Sequence, residues 1–305
     1  QRQMCIRDSF TTPACVSPYQ EDGKTYETFP YLTDLNPMLS VNNPNTDIRY
    51  NLSGNIYADV TIPWIKGLSY RVNYANNWTI YKFYRFDPYA NALLGLAEKK
   101  HSMQNEWTLD NIVTYKNTFG KHSFNATFVY GVEKRTYETT DAQSRNFTDK
   151  TLGYNNMAMG QADLNMITSG AWEESSLYNM FRLVYSYNDR YIFTGTIRRD
   201  GFSGFSENNK FGYFPSVAVA WRLSEESFVK KVEWINNLKI RLSYGTSGNR
   251  TSGRYATMAQ MQNVNNFVDT SKGYVFGDGS TGELLQVMKT LPNPNLKWET
   301  TKSVS

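Results

Sequence analysis

The sequence predicts an all-β protein whose strands cross a membrane, and three observations carry that reading. Eight short segments alternate apolar and polar residues with period two, and the apolar side of each lacks Asp, Glu, Lys and Arg. Aromatic residues make up 15% of the 305 residues, with 22 Tyr and 7 Trp, yet no apolar run approaches the ~20 residues a membrane-crossing helix needs. The connections between segments are short and long by turns. Successive side chains of a strand point to opposite faces, so each segment has one apolar and one polar side. A transmembrane barrel keeps its hydrophobicity in alternate positions of ~10-residue strands, which suits a mean hydropathy of −0.57. Its interfacial girdles account for the aromatic excess. A net charge of +4, from 32 basic and 28 acidic residues mixed along the chain, gives no basic patch and excludes nucleic acid as an expected partner.

The first strand is read over 50–62, where Leu52, Gly54, Ile56, Ala58, Val60 and Ile62 share one face and Ser53, Asn55, Tyr57, Asp59 and Thr61 the other. The second, over 67–80, sets Leu68, Tyr70, Val72, Tyr74 and Trp78 against Ser69, Arg71, Asn73 and Asn77. Strands follow over 104–116, with Trp107, Leu109, Val113 and Tyr115 outward, and over 121–136, with Phe124, Ala126, Phe128 and Tyr130 outward. Next come 175–188, presenting Phe181, Leu183, Tyr185 and Tyr187, and 190–200, presenting Tyr191, Phe193 and Ile197. The strand over 214–223 presents Val217, Val219 and Trp221, the strand over 237–246 presents Leu238, Ile240, Leu242 and Tyr244, and a ninth begins near Leu296. The opposite faces carry Asp59, Arg71, Asp110, Arg182, Arg198, Arg222, Lys239 and Arg241. A cation on the lipid face of a barrel costs ~2–4 kcal/mol at the midplane, whereas a water-filled lumen tolerates it. A soluble β-sandwich also alternates, so a soluble or secreted β-rich module that binds carbohydrate or protein is the alternative. Strands of this length, with long loops confined to one rim, favour the barrel.

The short connections are 63–66, 117–120 and 188–190, and the long ones are 81–103, 137–174, 201–213 and 247–295. Outer-membrane barrels place short turns on the periplasmic side and long loops outside, which orients the strands. The segment 224–236 breaks this alternation. It reads as a short helix with Ser224 as N-cap, Glu225 and Glu226 in the first turn, and Phe228, Val232 and Ile235 or Trp234 resting on the rim.

No constellation for covalent chemistry is legible, and no catalytic residue, cofactor or metal site is expected. The two histidines, His101 and His122, lie in different segments, and a nucleophile needs a positioned base. Cys5 and Cys15 precede all the strands and fit a disulfide or free thiols better than a metal site. Gly277-Asp278-Gly279 lacks the Lys and Ser/Thr of a phosphate loop and reads as a turn. Tyr81, Tyr84, Arg85, Phe86, Asp87 and Tyr89 give one long loop an aromatic, hydrogen-bonding character suited to sugar rings or peptide side chains. Interfacial anchoring or loop packing explains the same residues.

A run of ordered motifs narrows the class. Arg198-Arg199-Asp200-Gly201, Phe214-Pro215-Ser216, Trp221-Arg222-Leu223-Ser224-Glu225-Glu226, residues 238–245 with Gly248-Asn249, and Asn293-Pro294-Asn295-Leu296-Lys297-Trp298-Glu299 closely resemble the SusC/RagA family of TonB-dependent outer-membrane transporters of Bacteroidota. Pro63-Trp64 and Gly67-Leu68 also match a family turn, so the resemblance covers nearly everything from about residue 25 onward. Asn209-Lys210-Phe211 departs from it, standing where the family often has an arginine-tryptophan-like pair.

The resemblance implies a barrel of about 22 strands, of which this chain supplies about nine, in the bacterial outer membrane. It also implies an N-terminal plug, a segment contacting TonB–ExbB–ExbD, an extracellular SusD-type lipoprotein, and uptake of oligosaccharides or peptides without covalent chemistry. Nothing in the sequence resembles the plug or the TonB segment. Residues 1–9, QRQMCIRDS, read as translated sequencing adapter, and residues 10–305 as a partial barrel that continues beyond both ends. The substrate is not legible.

Overall fold

A computed structural model of the chain describes residues 19–23, 43, 45–90, 94–231, 234–250, 254–263, 275–276, 281–282 and 286–305. Cys5, Cys15, residues 1–9, Val232 and Gly277-Asp278-Gly279 lie outside the described residues. The long strands are β1 (Asn45–Thr61), β2 (Leu68–Asp87), β3 (Leu96–Phe119), β4 (His122–Arg145), β5 (Met166–Tyr187), β6 (Tyr191–Phe202), β7 (Phe211–Arg222) and β8 (Lys239–Asn249). Four short strands follow, β9 (Gln260–Asn263), β10 (Val275–Phe276), β11 (Thr281–Gly282) and β12 (Gln286–Thr290), and then β13 (Glu299–Val304). One nine-stranded sheet runs β1-β2-β3-β4-β5-β6-β7-β8-β13, with β10-β11 and β12-β9 as separate ribbons.

All eight expected strands are present, and the ninth starts at Glu299. Several are longer than their sequence pattern indicates, reaching 24 residues in β3 and β4. The connection expected over 81–103 therefore shrinks to 88–95, and that over 137–174 to 146–165, which carries three short 3-10 turns. Strand pairing outlasts the apolar alternation: residues 98–102 and 138–141 are polar on both sides yet lie in strands.

Registers confirm how the faces divide. Tyr187, Tyr191, Trp221 and Ile240 stand opposite one another across β5 to β8, and Tyr185, Phe193, Val219 and Leu242 form the next row. Arg182 opposes Thr196, and Arg198 opposes Phe214, on the other face. The apolar face is open: Leu242 is 64% exposed, Ile240 51% and Phe181 45%. Phe202 and Phe214, on the polar face, are by contrast buried. A soluble sheet has the reverse arrangement, so this inversion decides against a sandwich and for a wall with lipid on its apolar side.

The short turns are tightly specified. Asn188 and Asp189 both have positive φ, 52° and 55°, and the Arg190 N–H donates to the Tyr187 carbonyl at 3.0 Å, the geometry of a type I′ hairpin turn. Gly67, at φ 88°, brings its carbonyl to the Lys116 N–H at 2.8 Å, where a Cβ would collide with the Lys116 carbonyl.

The segment 224–236 is not the expected helix. Leu223–Glu225 forms a 3-10 turn without a side-chain cap, followed by turns in which the Val229 and Lys230 N–H groups donate to the Glu226 carbonyl. Val229 is buried, while Phe228 and Trp234 stay exposed. Ser224 does not cap because it lies inside the 3-10 turn, whose N-cap position is Arg222, and the Glu226 carboxylate accepts from Arg190 Nη1 at 3.1 Å, Tyr191 Oη at 3.0 Å and Trp221 Nε1 at 3.1 Å. The Trp221 and Tyr191 donors hold its carboxyl below the usual carboxylate range.

The contacts divide the chain into two units, Gln1–Ser53 with Asn77–Asn105 and Thr136–Trp172, and Gly54–Asn76 with Glu106–Arg135 and Glu173–Ser305. The first holds a small core of Phe86, Ala97 and Phe147, with Tyr154 and Met157 packed against it. The second contains the open apolar face of β5 to β8 and the polar groove behind it.

Candidate functional site

The groove lies on the polar face of the second unit and encloses about 580 Å³, lined among others by Glu133, Tyr178, Arg198, Asp200, Arg250 and Trp298. Alternation brings these residues together, since Tyr178 opposes Asp200 and Arg198 opposes Phe214 in the strand registers. Tyr178 donates a short hydrogen bond to Asp110, a residue of β3, and so reaches across β4. Gly131 of β4 makes this possible, because a Cβ there would strike the Tyr178 ring. The Arg198 guanidinium lies 4.6 Å from the centre of the same ring and pairs with Asp200 through Nε at 2.8 Å. Asp110, Tyr178, Arg198 and Asp200 thus form one chain of charge-assisted contacts across the sheet.

A second network adjoins it. Arg135 contacts Glu106 at 2.8 Å and lies 3.7 Å from Glu174, whose carboxylate also accepts from Arg254 Nε at 3.1 Å. Glu174 is 8% exposed, and Arg250 Nη2 approaches it at 4.0 Å while its Cζ sits 4.7 Å from the Phe202 ring. Three guanidiniums around one nearly buried carboxylate tie the chain after β8 back to β5. At the groove's edge Trp298 donates its indole N–H to the Lys210 carbonyl at 3.1 Å and packs edge-on against Phe205 and Phe214. Position 210 contributes a backbone carbonyl here, which accounts for the departure at Asn209-Lys210-Phe211 leaving the fold intact.

The residues singled out from sequence are divided by the structure. Tyr81, Tyr84, Arg85, Phe86 and Asp87 lie on β2, not in a loop, and alternation sends Tyr81 and Arg85 to one face and Tyr84 and Phe86 to the other. Tyr81 stacks near Phe83 and takes Arg49 over its ring, and Arg85 lies 3.9 Å from Glu98. Tyr84 meets His101 at 2.9 Å, and Phe86 is 4% exposed against Phe147. Asp87 accepts from the N–H groups of Tyr89 and Ala90, at 3.0 and 3.2 Å, which closes the turn after β2. The alternation sets Asp110 and Arg198 on the polar face, but their assembly into one groove is not legible because Tyr178 and Asp110 are 68 positions apart. The available signals were a glycine inside a strand and the same-face spacing of Arg198 and Asp200. His122, exposed, bonds Tyr185 at 2.8 Å. Among the described residues no group of three His, Cys, Asp or Glu is placed to hold a metal ion.

The profile of the family described as TonB dependent receptor-like, beta-barrel, matches residues 9–305. The chain belongs to this family. TonB-dependent receptor P26 of Formosa agariphila is 30% identical over 94% of this chain and 29% of its own length. TonB-dependent receptor SusC of Bacteroides thetaiotaomicron is 42% identical over 39% of this chain and 11% of its own length. The structure titled as the RagAB peptide transporter shares the fold, with a TM-score of 0.78 and 21% identity over 93% of this chain and 31% of that one. The chain thus spans less than a third of the length of these TonB-dependent relatives. It is a nine-stranded portion of a TonB-dependent receptor barrel, an outer-membrane architecture.

Proposed function

We propose that this chain is part of the wall of a TonB-dependent importer in the bacterial outer membrane, and that the groove behind β5 to β8 faces the transport path. The carrying observation is the inversion of the two faces, open and apolar on one side, ion-paired and grooved on the other. Within the full-length protein the barrel closes around a plug, is energised by TonB–ExbB–ExbD and works with a SusD-type lipoprotein at its outer mouth. Its cargo is an oligosaccharide or a peptide. Trp298 and Tyr178 offer ring faces, and Arg198, Asp200, Glu133 and Arg250 offer both signs of charge, which suits polar solutes held by several weak contacts. The wall guides the solute, and no bond is made or broken.

The test uses the full-length protein. Fractionation places it in the outer membrane as a heat-modifiable barrel, and uptake of labelled oligosaccharide and peptide pools depends on TonB. The isolated chain, with β1 and β13 each paired on one side only, is expected to need detergent. A monodisperse chain that melts cooperatively in detergent-free buffer sinks the membrane reading. TonB-independent uptake sinks the importer reading alone.

A further inference from the structure

The two adjacent arginines of the Arg198-Arg199-Asp200-Gly201 motif part to opposite faces. Arg198 joins the groove, whereas Arg199 stands in line with Tyr191, Phe193 and Ile197 on the apolar face, opposite Asn179 of β5 and Tyr213 of β7, so the apolar side of this strand is not free of charge as the alternation predicts. Eight residues of strand, about 27 Å, separate it from Tyr191 in the aromatic row at the short-turn end. At a barrel's tilt this brings Arg199 close to the far edge of an apolar band ~25 Å tall.

Its surroundings are built. The guanidinium carbon lies 3.8 Å from the centre of the Phe211 ring and 5.9 Å from that of Tyr213. Gly201, two residues on and on the same face, leaves the space this ring occupies, since a Cβ there would come within 2.6 Å of Phe211 Cε1. The Nε of Arg199 is buried and has no hydrogen-bond partner among the described residues. The motif's carboxylate, Asp200, is taken by Arg198 on the other face. A permanently charged fork, held by aromatic rings where hydrocarbon gives way to headgroups and in no ion pair among the described residues, lacks an anionic acceptor, and with Nε covered it can meet one only through its two outer nitrogens. Phosphate is the anion that lies at that depth and accepts from a guanidinium in two-pronged fashion.

We propose that Arg199, cradled by Phe211 and Tyr213, binds the phosphate of a lipid headgroup in the leaflet at the long-loop end of the barrel. The proposal rests on the membrane reading above. It gives the motif a division of labour in which one arginine orders the transport path and its neighbour fixes the wall's depth in the bilayer.

Native mass spectrometry of the full-length protein tests it, with a phosphorylated lipid A-type glycolipid, its dephosphorylated form and inorganic phosphate as probes. The wild-type protein is expected to retain the phosphorylated glycolipid, and Arg199→Gln to retain it roughly tenfold less or weaker, with Arg199→Lys between them. Gly201→Ala, which displaces the Phe211 ring without touching the charge, is expected to weaken retention in the same direction. A heat-modifiable Arg199→Gln barrel that keeps the phosphorylated glycolipid as well as wild type overturns the site. So does equal retention of the dephosphorylated form, and displacement by excess inorganic phosphate reassigns the site to free anions. A wild-type protein that never becomes a heat-modifiable barrel overturns the membrane reading, and this site with it.

Discussion

The two faces of β5 to β8 are made from the same stretches of backbone and are stabilised in opposite ways. On the apolar face, rows such as Tyr185, Phe193, Val219 and Leu242 are in register but open, so their environment must come from outside the chain. On the polar face, Asp110, Tyr178, Arg198 and Asp200 satisfy one another inside the chain. The first face is specified by apolar rows that carry a charge only at the end of β6, at Arg199, and the second by the pairing of its charges. Substitutions should therefore be judged by face and not by position along a strand.

The largest effect expected from breaking that contrast is the exchange of neighbours on β5. In the full-length protein Leu183→Arg should impair assembly by ~2–4 kcal/mol near the midplane, and Arg182→Leu by much less. The fraction of heat-modifiable barrel on gels measures both, and a reversed order would mean a one-residue slip of register. A smaller effect is expected at Gly131, where Gly131→Leu pushes the Tyr178 ring off Asp110 at a cost of about 1–3 kcal/mol by thermal melting in detergent. Tyr178→Phe keeps the ring under Arg198 and removes only the hydroxyl, so about 1 kcal/mol is expected, with reduced uptake if the chain of contacts lines the path. An uptake loss in Gly131→Leu without one in Tyr178→Phe would assign the defect to crowding.

The smallest effect concerns acid. Glu226 has its carboxyl lowered from 4.5 by the Trp221 and Tyr191 donors, so its contribution is complete above the ordinary glutamate pKa and fades as pH falls through the lower folded value. Melting of the wild-type barrel should drop more steeply below about pH 4.5 than that of Glu226→Gln, and the two should run parallel at neutral pH.

What the sequence revealed follows from what alternation can encode. Period two marks a face only where one side is apolar, so the rows around Phe193 and Val219 are legible, whereas 96–103, with Glu98, Lys99, Lys100 and His101 in a run, reads as a loop and is strand. Tyr84 and Phe86 read as loop aromatics for the same reason, although Phe86 anchors a core with Phe147. The turn after β7 was misread because Glu225 and Glu226 imitate a helix start, while Glu226 in fact clasps the ends of β6 and β7. The groove stayed hidden because Tyr178 meets Asp110 over an intervening strand, and no local pattern records a contact of that kind.

The Asn188-Asp189 turn bears on how such a chain can change over generations. Two residues with positive φ set the pairing of β5 with β6, and one added residue that passes into β6 would move Arg198 to the lipid side and Arg199 to the lumen side along with every other side chain of that strand. The connection over 146–165 imposes no such parity on the strands it joins. Tolerated insertions and deletions among descendants of this sequence should therefore gather at the long-loop end, leaving the short-turn end fixed in length, so that the surface exposed to the outside world is also the part free to diverge.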